Sequence, residues 1–254
     1  MSTSERAATG RDRVRTGVVW DAVAARLEPG DRVVDIGGGT GGFAVRLAGQ
    51  GHAVTVVDPS PDALAALDRR ADEAGVAGLV TGVQGDVADL STHVSADVDA
   101  VLCHGVLEVV PDPAAALRAI AAVLRPGGLL SLLVAQRHAA VVSRAMAGHF
   151  QQALALLDDD QQSGQQSGQQ SGQQSGAAVR SGRRYTADEV VALLADAGFA
   201  LQETHAVRVF ADLVPGSLLD LEPGATAALV ELERAAADRA EYLPLATQLH
   251  LLAR

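Results

Sequence analysis

The sequence predicts an α/β fold built on a parallel, doubly wound sheet. Three observations carry that expectation. Short β-branched apolar runs alternate along the chain with longer amphipathic ones. Gly37, Asp58, Asp86 and His104 stand at or just beyond the ends of the first four strand-like runs. The first of these runs, Arg32-Val33-Val34-Asp35-Ile36, opens directly into Gly37-Gly38-Gly39-Thr40-Gly41-Gly42. A buried strand that breaks into glycines ahead of a helix lets backbone N–H groups approach a ligand closely, because no Cβ stands in the way.

Residues 12–27 read as an amphipathic helix with Val14, Val18, Val19, Val23 and Leu27 on one stripe, and Arg13 and Arg15 near its start. After the glycine turn, Phe43 to Ala48 is helix-like. Ala53 to Asp58 forms the second strand, and Pro59-Ser60-Pro61 starts an alanine-rich helix to Ala74. Leu79 to Gln84 is the third strand, closed by Gly85-Asp86-Val87, and Asp99 to His104 is the fourth, with Gly105 to Val110 read as a helix start. Pro113 to Leu124 is a helix, and Leu124-Arg125-Pro126-Gly127-Gly128 is a turn feeding the fifth strand, Leu129 to Val134. Residues 138–157 resume a helical period with Val141, Val142, Met146, Phe150 and Leu154.

Asp158 to Gly176 contains Gln-Gln-Ser-Gly four times and no apolar residue, so it cannot bury enough surface to offset its ordering entropy and reads as a mobile loop. Thr186 and Glu189 form a capping box for a helix ending at Gly198. Leu201 to Phe210 and Thr247 to Ala253 are strand-like, separated by a helix over about Pro223 to Ala240. The organisation expected is one domain over 1–254, with a low-complexity insert at about 158–184.

Composition narrows the function. The chain has 254 residues and 48% apolar content, yet no run of about eighteen apolar residues of the kind a membrane helix needs. Met1 to Arg15 lacks the apolar core of a secretion signal, so the expected location is the cytoplasm. A single cysteine, Cys103, excludes an internal disulfide and a cysteine-rich metal site, and no metal is expected. The formal charge of −11 speaks against a generally basic nucleic-acid surface. A local patch is expected at Arg137, Arg144, Arg180, Arg183 and Arg184, opposed in that stretch by Asp158, Asp159 and Asp160 alone.

Gly37, Gly39 and Gly42 satisfy the G-x-G-x-x-G pattern, and Asp58 follows at the spacing of a ribose-binding acid. Asp35, a carboxylate inside the strand end, pulls the reading away from a nicotinamide site, where that strand stays apolar. The segment Val34-Asp35-Ile36-Gly37-Gly38-Gly39-Thr40-Gly41 resembles the first motif of class I S-adenosylmethionine methyltransferases. Asp58, Asp86 and Leu124-Arg125-Pro126-Gly127-Gly128 agree with it. The runs from Cys103 to Val110, Met146 to Phe150 and Val207 to Asp212 are similar to bacterial members that methylate the carboxylate of a modified wobble uridine in tRNA.

The resemblance implies a Rossmann-like sheet of seven strands with an antiparallel last strand inserted beside the fifth. It implies S-adenosylmethionine as cofactor, contacted by Arg15, Asp35, Gly37, Gly38, Gly39, Asp58, Gly85, Asp86 and His104. Arg208 would face a substrate carboxylate, or else form a salt bridge to Asp212 or Glu203. His104 is a second candidate, as a general base, and Glu108 one turn on is another, read more readily as a helix surface or cap residue. Other readings are a methyltransferase of a small acid or secondary metabolite, which the acidity favours, and a nicotinamide-dependent oxidoreductase or non-catalytic nucleotide-binding module.

Overall fold

A computed structural model describes residues 16–163, 182–215, 219 and 224–254. Arg15, Arg180 and the insert from 164 to 181 lie outside the described residues. The elements in chain order are α1 (16–24), β1 (Arg32–Ile36), α2 (Ala44–Ala48), β2 (Ala53–Asp58), α3 (Pro61–Glu73), β3 (Val80–Gln84), α4 (Leu90–His93) and β4 (Val98–His104). There follow α5 (Pro113–Val123), β5 (Leu124–Ala135), α6 (Arg137–Met146), α7 (Phe150–Ser163), α8 (Ala187–Asp196), β6 (Leu201–Val207), α9 (Ala225–Ala237) and β7 (Gln248–Ala253). Seven strands form one sheet in the order β3-β2-β1-β4-β5-β7-β6. β1 to β5 run parallel, and β7 inserts antiparallel between β5 and β6.

Period-two alternation builds the two faces. Val34, Ile36, Val101, Cys103, Leu130 and Leu132 pack into the core on the side of α5 and α8, whereas Val33, Ala100, Leu102, Leu129 and Leu133 pack with α1, α2 and α3 on the other. Each fully buried leucine, such as Leu47, Leu67 or Leu130, removes enough apolar surface from water to contribute about 2 kcal/mol. Local chemistry starts the helices where they start. Ser60 and Asp112 accept from Ala63 N–H and Ala115 N–H, each followed by proline at the first helical position. The Thr186–Glu189 capping box is present in both directions.

Several stretches differ from the sequence expectation. The expected turn Leu124 to Gly128 belongs to β5, and β6 ends at Val207, short of Phe210. Gly105 to Val110 is a turn, not a helix start: Gly105 takes φ +74, and Pro111 removes the next N–H. The expected helix over 138–157 is two helices, α6 and α7, because Gly148 at φ +77 ends the first. Met146, Phe150 and Leu154 are consequently exposed and not on a core-facing stripe. Asp158 to Ser163, read as the start of the polar loop, continue α7.

Candidate active site

The glycine turn begins where β1 ends. Gly37 N–H donates to Val57 O at 2.8 Å, tying the turn to β2, and Gly37, Gly39 and Gly41 adopt φ of +67, +55 and +78. Gly38 has a different requirement. A Cβ there would lie 2.5 Å from Asp35 Oδ2, so the carboxylate lies directly against the backbone of the turn. A cavity of about 500 Å³ opens above these residues, lined by Asp35, Gly37 and Gly38 from the β1 end, His104 and Gly105 from the β4 end, and Leu133 and Gln248 from β5 and β7. It stands outside the carboxyl ends of the parallel strands, where the strand order reverses between β1 and β4.

Two carboxylates support the turn from beneath. Asp58 is buried at the end of β2; its Oδ2 accepts from Gly39 N–H and its Oδ1 from Ser60 N–H, both at 2.9 Å. Asp35 is buried too, and burial, then the charge of Asp58, lifts its carboxyl from 3.8 to about 7. A cavity with backbone N–H groups and an acid poised near neutrality suits a ligand that carries both a cationic centre and polar groups.

His104 lines the cavity with its ring edge-on to Phe43 at 5.1 Å. Its Nε2 is 2.8 Å from Ser131 Oγ, and the same hydroxyl is 2.8 Å from Nε2 of His250. Cys103, the neighbour of His104, is fully buried, and desolvation pushes its thiol far up, as an inert core residue requires.

The structure thus brings Asp35, Gly37, Gly38 and His104 into one cavity wall, with Gly39 and Asp58 joined to it by the turn. Gly85 and Asp86 sit at the end of β3 outside that wall. Gly85 abuts His93, whose ring a Cβ would approach to 2.6 Å, and exposed Asp86 accepts from Ala88 N–H at 3.2 Å. Arg208 follows β6 at φ +60 and pairs through one terminal nitrogen with Asp212, which also accepts from Thr247 Oγ1 at 2.8 Å. Its Nε is buried with no partner among the described residues. The salt bridge anticipated for Arg208 therefore exists, and a donor is left over.

Glu108 is not a helix surface residue. It lies in the turn after β4, accepts from Ala135 N–H at 2.7 Å, and burial raises its carboxyl above the usual range. The expected basic patch is corrected as well. Arg137 is buried and fixed by Glu189 at 2.9 and 3.0 Å and by Arg184 O at 3.0 Å, because it closes the junction between α6 and α8. Arg183 is exposed and reaches Val110 O at 3.2 Å, and Arg144 and Arg184 are half-buried near one another.

Gln248 went unrecognised because its place in the cavity depends on β7 entering beside β5. Ser131 and His250 did leave a signal: each is a polar residue flanked on both sides by leucine.

Residues 34–132 match the methyltransferase domain family. The chain is 29% identical over 252 residues to the tRNA 5-carboxymethoxyuridine methyltransferase of Escherichia coli K12, covering 97% of this chain and 90% of that protein. It is 39% identical over 132 residues to the ubiquinone biosynthesis O-methyltransferase of Xanthomonas axonopodis pv. citri, covering 50% and 52% of the two. Its fold is that of Burkholderia thailandensis 1,6-didemethyltoxoflavin-N1-methyltransferase, solved with S-adenosylhomocysteine bound, with a TM-score of 0.56 and 21% identity over 97% of this chain and 79% of that one.

Proposed function

We infer that this chain, an S-adenosylmethionine-dependent methyltransferase, takes as its acceptor the carboxylate of a modified wobble uridine in tRNA. One observation carries the inference. Likeness to the ubiquinone enzyme covers half of this chain, whereas likeness to the tRNA enzyme runs over 97% of it and so includes Arg208.

When bound, S-adenosylmethionine supplies an electrophilic methyl group on a sulfonium and departs as a neutral thioether. On this reading the Gly37 to Gly39 backbone and Asp35 would hold its methionine end, Asp58 its ribose, and Gly85 and Asp86 the adenine side, with Arg15 as a further contact that the resemblance implies. His104 lies between cofactor and acceptor. A carboxylate already carries its lone pair at neutral pH, so no residue needs to remove a proton, and positioning supplies most of the rate. Arg208 is suited to such positioning, since its guanidinium is anchored by Asp212 and the unpartnered Nε offers a donor to a carboxylate oxygen. Arg144, Arg183 and Arg184, with Arg180, would meet the tRNA phosphates. The site would lie in one domain spanning the chain, acting in the cytoplasm where tRNA is modified.

The charge of −11 favours a second reading, a small acidic acceptor with no tRNA. Incubating the protein with S-adenosylmethionine and tRNA carrying 5-carboxymethoxyuridine, then digesting to nucleosides for mass spectrometry, separates the two. A methyl ester on that nucleoside is expected. Its absence, with transfer to small carboxylic acids under the same conditions, would replace the first reading by the second.

A further inference from the structure

Four polar side chains form a row across four strands. His104 (β4), Ser131 (β5), His250 (β7) and His205 (β6) alternate onto the sheet face that carries Leu102, Leu133, Leu252 and Val207. Leu133 pairs with His250 and His250 with His205, so the row crosses the sheet laterally from the cavity to its far edge. Ser131 and His250 are 0% exposed. His205 stacks on His250 at 5.4 Å and reaches exposed Asp238 through Nδ1 at 2.6 Å.

The proton positions in this row follow from hydrogen-bond accounting. The Ser131 hydroxyl has one proton and faces two imidazole Nε2 atoms at 2.8 Å. It therefore donates to one ring and accepts from the other. His250 Nδ1 is buried with no partner among the described residues. An orphaned buried N–H is rarer and more costly than an orphaned acceptor, so the bare nitrogen of His250 is Nδ1 and its proton is on Nε2. Burial and the two flanking imidazoles depress its basicity well below the ordinary histidine value, which keeps this ring neutral. His250 Nε2–H then donates to Ser131, and Ser131 must donate to His104 Nε2.

We propose that Ser131 and His250 hold His104 in the tautomer that carries its proton on Nδ1, making His104 a hydrogen-bond donor to the methyl acceptor and not a base. This deepens the carboxylate reading and rests on it for the identity of the acceptor alone. A ring whose Nε2 lone pair is occupied by Ser131 has none to offer a hydroxyl or amine nucleophile, so such acceptors receive no help. A carboxylate arrives without a proton to lose, and one of its oxygens accepts from Nδ1–H while a lone pair on the other attacks. Ser131 and His250 are positioning residues in this arrangement, since both are fully buried and act on the acceptor through the ring of His104.

The test is the tautomer itself, read by ¹⁵N NMR on histidine-labelled protein with S-adenosylhomocysteine, with the seven histidines assigned by substitution. The wild type should show His104 Nε2 as an unprotonated, hydrogen-bonded nitrogen and Nδ1 as protonated. A protonated His104 Nε2 in that spectrum overturns the proposal without recourse to any variant. Ser131→Ala should move the proton towards Nε2 and slow transfer about tenfold, the scale of one hydrogen bond, while leaving S-adenosylhomocysteine affinity within about twofold. Ser131→Thr keeps the hydroxyl and should restore the wild-type tautomer. An unchanged tautomer and rate in Ser131→Ala would also overturn it. His250→Phe, which keeps a ring in the core, should give a mixture of tautomers at His104; a pure wild-type signal there would count against the role of His250. The spectrum needs no acceptor, so the expected tautomer with no transfer to tRNA would defeat the proposed substrate and leave this assignment intact.

Discussion

Asp35 and Arg208 place opposite demands on the protein. Asp35 is buried beneath the glycine turn, and its folded value of about 7 lies above the ordinary 3.8. The fold therefore disfavours the ionised carboxylate. The stability that belongs to its protonated form is complete below about pH 4, and is lost as the unfolded chain ionises between pH 4 and 7 while the folded carboxyl stays protonated. Asp35→Asn should flatten this part of the pH–stability curve of the ligand-free protein, a difference of roughly a few kcal/mol at pH 8 in urea melts. Parallel curves for the two proteins would refute the assignment. A cationic cofactor beside the group favours its ionised form, so binding near pH 7 should release a proton, seen by calorimetry in buffers of different ionisation enthalpy.

Arg208 keeps its charge under Arg208→Lys but loses the planar fork. Transfer should slow by one to two orders of magnitude, roughly 1.4–2.7 kcal/mol of transition-state stabilisation, while S-adenosylmethionine affinity holds. Wild-type rates in the variant would assign Arg208 to its ion pair with Asp212 and nothing more. At this scale the sequence was readable where a backbone demand or a strand-end position exposed the residue, as at Gly37, Asp58 and His104. Gln248 was not readable as a cavity residue, because what places it there is a strand pairing between segments more than a hundred residues apart.

At the scale of elements, turn chemistry governed what could be foreseen. Proline at the first turn of α3 and α5 and the Thr186–Glu189 box mark their helices unambiguously. Gly148 was submerged in an apolar period that runs on through both α6 and α7, so one helix was expected where there are two. On the proposed tRNA reading, and with Arg137 committed to Glu189, the described side chains left for phosphate on this side are Arg144, Arg183 and Arg184. About three contacts imply that the logarithm of tRNA affinity falls with the logarithm of salt concentration with a slope of roughly −2 to −3. Arg144→Ala and Arg184→Ala should each reduce that slope by about one, and Arg137→Ala should unsettle folding first. A slope near zero in filter-binding titrations would remove the phosphate role of these residues.

For the whole molecule, the cofactor cavity ties together β1, β4, β5 and β7, so a ligand there is linked to the global transition. S-adenosylhomocysteine at a hundred times its Kd should stabilise the protein by about 2.7 kcal/mol. For a chain of this size that raises Tm by roughly 5–11 °C. NAD at the same concentration should leave Tm in place; an equal rise with both would mean that the glycine turn does not discriminate between the two nucleotides. No helix among the described residues is long and apolar enough to cross a membrane.

The strand order has a consequence during synthesis. β6 is bonded to the sheet through β7 alone, and β7 comes later in the chain. As the polypeptide leaves the ribosome, the first five strands can pair in the order they emerge, but β6 must wait, with both edges open, until the segment that flanks it has been translated. The same late segment delivers Gln248 to the cavity and His250 to Ser131. A nascent chain halted before Thr247 would thus hold its glycine turn complete and its cavity wall unfinished, so the cavity closes only after β7 has been translated.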